Sequence, residues 1–216
     1  MDGGQGGSTV AFDVGTFCAC VEQVGGETTS ARATFDALQA AHAEPQRHYH
    51  DASHIDACLR AFEPVRHLAE LPAEVESALF FHDAVYDPRS SGNEARSARW
   101  AVRALGEAGV ASSVCGRVEA MIMATRHHEP ATGDEALLVD VDLGILGMPE
   151  PVFERYDQGI RREYAHVPEA DYRAARAEVL AGFLRRRRIF HTDHFHALLD
   201  APARANLERK IAELRC

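Results

Sequence analysis

Apolar residues in this chain return at helical spacing, and nowhere do they alternate long enough to build a sheet. Val114, Val118, Met121, Ile122 and Thr125 fall on one helical stripe. Pro72, followed by Glu74 and Glu76, reads as a helix start whose core face is Val75, Leu79 and Phe80. Glu94 to Leu105, Ala170 to Leu184 and Ala201 to Leu214 carry the same pattern, and Val10 to Phe17 is a weak strand candidate. Turn residues cluster at 87–92, 129–133 and 147–149, leaving the short connections that compact helical proteins use. The expectation is a single all-α domain, a helical bundle over residues 30–216, preceded by a loosely ordered segment over 1–29.

Composition supports one domain with a sizeable core: 216 residues, 46% hydrophobic and 26% charged. No apolar run approaches the roughly 20 residues of a membrane span. Met1 to Ser8 is glycine-rich, lacks a basic segment followed by an apolar one, and does not read as a secretory signal. The net charge of -10 disfavours nucleic acid unless basic residues cluster. One cluster exists, Arg185 to Arg188, with Arg161 and Arg162 upstream; a solvated helix face is the preferred reading over a phosphate site. The five cysteines are odd in number and contain no C-x-x-C pair, and Cys18-x-Cys20 is too tight for a zinc knuckle. Reduced thiols in a cytoplasmic protein are the simplest account.

The twelve histidines are bunched. One bunch runs from Arg47 to Ile55 and contains His50 and His54, four apart, which on a helix share a face. Phe80 to Asp87 places His82-Asp83 at the end of an apolar helix, and Ala124 to His128 ends another. Leu137 to Leu143 embeds Asp140 and Asp142 in apolar sequence. Each bunch alone has an ordinary explanation: surface histidines, a chance dipeptide, a helix C-terminus, an N-cap. Together they pose a burial problem, because an unpaired buried carboxylate is costly and no Lys or Arg supply flanks these segments. A divalent cation solves it for all of them, and neutral imidazole and carboxylate suit Zn, Fe, Mn, Ni or Co.

The order His54, His82-Asp83, Asp142 resembles the HD superfamily of metal-dependent phosphohydrolases, and the wider pattern is similar to a bacterial branch of predicted HD-type phosphohydrolases. The matching stretches are Glu44 to His50, Phe81 to Asp87, Asn93 to Ala98, Asp140 to Gly147, Ile160 to Tyr164 and Ala203 to Leu207, within a span from Phe35 to Leu214. The resemblance implies a helical bundle of the HD type and a divalent metal, Mg included, held by His54, His82, Asp83 and Asp142, with His128 (or His127) as an extra ligand. His50 becomes the general acid by position, although either His50 or His54 could be the ligand in the first bunch. A slip of one residue would exchange Asp142 for Asp140.

The expected activity is hydrolysis of a phosphate ester, a nucleotide among the candidates, by a metal-activated water. Asp83 would both bind metal and orient the water, and His50 would protonate the leaving oxygen. Glu94 is assigned a catalytic supporting role. Arg47 is read either as a support behind the metal ligands or as a phosphate contact, and Arg161 and Arg162 are assigned to substrate phosphate, with an Arg162–Glu163 ion pair as an equal reading. His191, His194 and His196 are read as surface residues. The expected partner is a small phosphorylated molecule, with no membrane and a homo-oligomer left open. The alternatives are a di-iron oxygenase on the same fold and an inactive nucleotide-binding sensor.

Overall fold

The computed structural model describes residues 10–216. Among them are ten α-helices and two 3-10 turns, and no strand. The helices are α1 (Val14–Gln23), α2 (Thr28–His42), α3 (Ala52–Phe62), α4 (Pro72–Phe81) and α5 (Asn93–Glu107). They continue with α6 (Ser112–Ala124), α7 (Gly133–Leu143), α8 (Glu150–Glu163), α9 (Glu169–Arg185) and α10 (Asp193–Arg215). No helix among the described residues is long and apolar enough to cross a membrane.

The core is organised around α4. Pro72 opens it, and every residue from Glu74 to Phe81 is buried because α1, α3, α5, α6 and α7 all pack against it. A helix buried on all sides must neutralise its own charges. Glu74 takes a two-nitrogen grip from Arg117 at 2.6 and 2.8 Å, and Glu76 meets Arg66 at 3.1 Å. Burying Phe80 this fully makes its truncation to Ala cost about 3–5 kcal/mol.

The chain start corrects the sequence reading. Residues 1–9 of the expected loose segment lie outside the described residues, but α1 is capped by Asp13, whose side chain accepts from the amides of Gly15 and Thr16. Phe17, Cys20 and Val21 are buried in the core, and Phe17 packs edge-on to Phe80 at 5.1 Å. The strand candidate Val10 to Phe17 is therefore helical from Val14 onward. Helix α10 also begins eight residues earlier than the pattern suggested, at Asp193, and carries Pro202 inside it. It packs on the 144–147 turn, where Asn206 donates to the carbonyls of Leu146 and Met148. Gly147 is required there, since a Cβ would meet the Leu199 backbone oxygen at 2.9 Å.

Candidate metal centre

Four places in the chain deliver the site. Asp51 caps α3 by accepting from the Ser53 amide at 2.8 Å, which sets His54 in the first turn. Helix α4 ends at Phe81, so His82 and Asp83 sit at its C-terminal tip. Asp142 comes from the last turn of α7, and His128 from the turn after α6.

Their donor atoms converge. His54 Nε2 lies 3.1 Å from His82 Nε2 and 3.3 Å from both Asp83 Oδ2 and Asp142 Oδ1. His82 Nε2 lies 3.2 Å from Asp83 Oδ2 and 3.7 Å from Asp142 Oδ1. A tetrahedral ion with bonds of about 2.0–2.1 Å spaces its ligand atoms about 3.3 Å apart, so the cluster has the edge length of a coordination shell. His82 Nδ1 donates to the Leu79 carbonyl at 2.9 Å, which leaves the Nε2 lone pair of the neutral ring facing the cluster. The donor set fits a divalent cation such as Zn, Fe, Mn, Ni or Co.

Electrostatics agree with the geometry. Burial disfavours charge on His82, yet the carboxylates of Asp83 and Asp142 hold its pKa well above the ordinary value. His54 is raised against burial too, by Cys58, Tyr49 and the same carboxylates. Burial likewise opposes ionisation of Asp83 and Asp142, but the surrounding imidazoles hold both well below the usual range. A cation entering this cluster displaces protons, so its binding strengthens as pH rises.

Cys58 was missed in the sequence, where it counted as one more reduced thiol. It follows His54 by one turn on α3, and its Sγ lies 3.8 Å from His54 Nε2. The ligating atoms of His54, Cys58, His82 and Asp142 all fall within 4.8 Å of one another. The available signal was the i, i+4 spacing from a candidate ligand.

His50 does not share a helix with His54, as the four-residue spacing suggested. It lies before the Asp51 cap, with its ring stacked on Tyr86 at 4.2 Å. Its Nδ1 is 2.7 Å from Glu163 Oε2 on α8. Glu163 also accepts from the amides of His48, Tyr49 and His50 at 2.8, 2.7 and 3.0 Å, and from the Tyr86 hydroxyl at 2.8 Å. Burial pushes its carboxyl up, but these donors bring it down to about 2. Gly159 permits the close approach of α8, because a Cβ would meet the His48 carbonyl at 2.9 Å. Glu163 is thus the partner of His50 and not of Arg162, which is exposed.

The arginine assignments change. Arg47 is buried, with Nη1 donating to the carbonyls of His50 and Asp83 at 2.8 and 2.7 Å and Nη2 to Ala84 at 3.1 Å. It braces the site and is not among the residues lining the cleft beside it. Arg161 is spent on Glu169 and on the carbonyls of Tyr164 and Val167, and neither it nor Arg162 lines the cleft beside the cluster. That cleft, of about 710 Å³, is bordered by His50, Asp83, Asp142 and His128, with Glu94 among its lining, and its cations are Arg126, Arg176 and Arg186.

Asp142, not Asp140, belongs to the cluster. Asp140 is fully buried and accepts from the amides of His191 and Thr192 at 2.7 Å each and from the Thr192 hydroxyl at 2.6 Å. It needs no cation, contrary to the sequence argument. His128, not His127, reaches the cluster, its Nε2 lying 3.5 Å from Asp142 Oδ2. It does so with a left-handed φ of 52°, its carbonyl held by Arg186 at 3.1 Å and His191 at 3.2 Å. The 185–188 run is therefore no plain helix face: α9 stops at Arg185 and Arg186 turns back onto the 127–128 carbonyls.

Comparison with protein-family models, curated proteins and solved structures returns no match to this chain.

Proposed function

We propose that the protein is a metal-dependent phosphohydrolase of the HD type, acting on a phosphate ester. The observation that carries this reading is the convergence of the His54, His82, Asp83 and Asp142 donors at 3.1–3.7 Å, beside a cleft that also presents His50. Those four residues would hold a divalent ion (Zn, Fe, Mn, Ni, Co or Mg), and Cys58 and His128 stand within reach of it. When bound, such an ion supplies Lewis acidity and lowers the pKa of water toward about 7.

The chain's own groups do the rest. Glu163 fixes His50 through Nδ1, which leaves Nε2 as the atom that protonates the departing ester oxygen. Tyr86 stacks on that ring, and Arg47 grips the His50 carbonyl, so the acid keeps its direction. Asp83 accepts a hydrogen bond from the attacking water, and Glu94 lines the same cleft as a supporting carboxylate. A second reading, a di-iron oxygenase, draws on one observation: the extra imidazole of His128 beside Asp142.

Metal analysis of the purified protein tests the site. A transition metal should be present, and His82→Ala and Asp83→Ala should each lose it; full occupancy in both variants sinks the assignment. A screen of monoesters, diesters and nucleotides with several divalent metals tests the chemistry. An iron-specific spectroscopic signal with no ester turnover under any metal would favour the oxygenase.

A further inference from the structure

One motif of the sequence is not used by the metal centre: the arginine run 185–188. Arg185 is taken by Glu178 at 2.7 Å. Arg186, Arg187 and Arg188 line a second cavity of about 470 Å³ together with His128, Glu129 and His191. This cavity adjoins the metal cleft, because His128 and Arg186 border both. The backbone that presents it is fastened from three sides. Arg204 donates to the carbonyls of Arg186 and Arg187 at 2.8 and 3.1 Å, Asp200 accepts from the Ile189 amide at 2.7 Å, and Asp140 accepts from the His191 amide at 2.7 Å.

The positive charge gathered here is poorly answered. Among the described residues, half-buried Arg186 donates only to the neutral carbonyls of His127 and His128, with its guanidinium over the Phe183 ring at 4.9 Å. Burial lowers its pKa, as expected of a cation without a carboxylate partner. Arg187 is exposed, and its side chain makes no hydrogen bond or ion pair among the described residues. Arg188 reaches Asp193 at 2.8 Å, but the Asp193 side chain is 97% exposed, so water screens the pair. Glu129, the one carboxylate in the lining, forms no ion pair among the described residues. Three neighbouring guanidiniums against one carboxylate, in a chain of net charge -10, make a local positive field, and guanidinium forks match phosphate oxygens. We propose that this cavity binds a phosphate group, separate from the one at the metal centre. Two sources share that chemistry: a second phosphate on the ester itself, and free inorganic phosphate. The first source rests on the phosphohydrolase reading; the second does not.

Alkanediols of increasing length, each made as its monophosphate and its bisphosphate, test the first source. At the length that spans the two sites, the metal-loaded protein should prefer the bisphosphate by about tenfold in kcat/KM, where two equivalent phosphates alone give about twofold. Arg187→Glu should bring that ratio down to about twofold, and Arg187→Lys should keep part of it. Titration calorimetry of inorganic phosphate into the protein as purified tests the second source, and Arg187→Glu should weaken that binding about tenfold. A length-dependent preference that Arg187→Glu abolishes supports the site with the ester as its source. A ratio of about two at every length, with phosphate binding that Arg187→Glu weakens, supports the site with free phosphate as its source. Esters hydrolysed without the preference, and phosphate binding that is absent or indifferent to Arg187→Glu, overturn the site and leave the phosphohydrolase reading standing. Phosphate binding that Arg187→Glu weakens, with no ester hydrolysed, supports the site and sinks the hydrolase. Neither binding nor hydrolysis overturns both.

Discussion

Asp140 and Asp142 stand two residues apart on α7, which turns them about 200° from each other around the helix. Asp140 faces the start of α10 and is held by two amides and a hydroxyl. Burial pushes its carboxyl above the usual range even so. Asp142 faces the imidazoles of His54, His82 and His128 at 3.3–3.7 Å, and it is held well below that range. Both are carboxylates in apolar sequence, Asp140 buried and Asp142 half-buried, and the donors make the difference. Fixed backbone donors close a structure for good. Titratable rings can give up their protons, and so leave the carboxylate open to exchange with a cation.

The largest expected effect separates the two directly. Asp142→Asn should weaken divalent-metal binding by more than about 100-fold in a chelator competition, with little change in the unfolding midpoint. Asp140→Ala should cost about 3 kcal/mol in denaturant unfolding and leave metal affinity within about tenfold, because it removes a buried carboxylate that holds two amides and a hydroxyl at the start of α10. Equal losses of metal from both variants would break the contrast.

Glu163 is the intermediate case, with amide, hydroxyl and imidazole donors on one carboxylate. Its folded pKa of about 2 lies below the unfolded value of about 4.3, so its contribution is present above that unfolded value and is lost as pH falls through about 2. Thermal melts of Glu163→Gln should lack this part of the acid limb and should start from a lower midpoint at neutral pH. An acid limb identical to that of the parent protein would show that the donors do not act on the charge.

The smallest effect concerns His128. Arg186→Met removes the grip on the 127 and 128 carbonyls, and should lower metal affinity by about tenfold while Arg186→Lys restores part of it. If His128→Ala weakens metal binding and Arg186→Met does not, the imidazole reaches the cluster without this support.

Much of this architecture is written locally. Pro72 announces α4, and the apolar run behind it announces a buried helix, because both signals act within one turn. The histidine and aspartate positions were legible as a set for the same reason that they are costly to bury. What could not be read was partnership at long range. Whether Arg47 supports the ligands or contacts phosphate stays open in sequence, because the carbonyls of Asp83 and Ala84 that it holds lie 36 and 37 residues away. Sequence offers Glu163 only its neighbour Arg162 as a partner, because its actual donors lie 113–115 residues upstream. The choice between Asp140 and Asp142 needed the position of α10, whose start is hidden by the Pro202 interruption of its pattern. Helix α1 was missed because an eight-residue apolar window satisfies the strand and helix periods about equally.

Arg47 carries one further consequence, for motion. A single guanidinium ties the turn that bears His50 to the tip of α4 that bears Asp83. Neither segment can swing outward without breaking the same hydrogen bonds, so the two open together as one cooperative unit. His50 and Asp83 therefore keep a fixed spacing through ordinary fluctuations of the surface, and amide exchange in the two segments shares a common opening event.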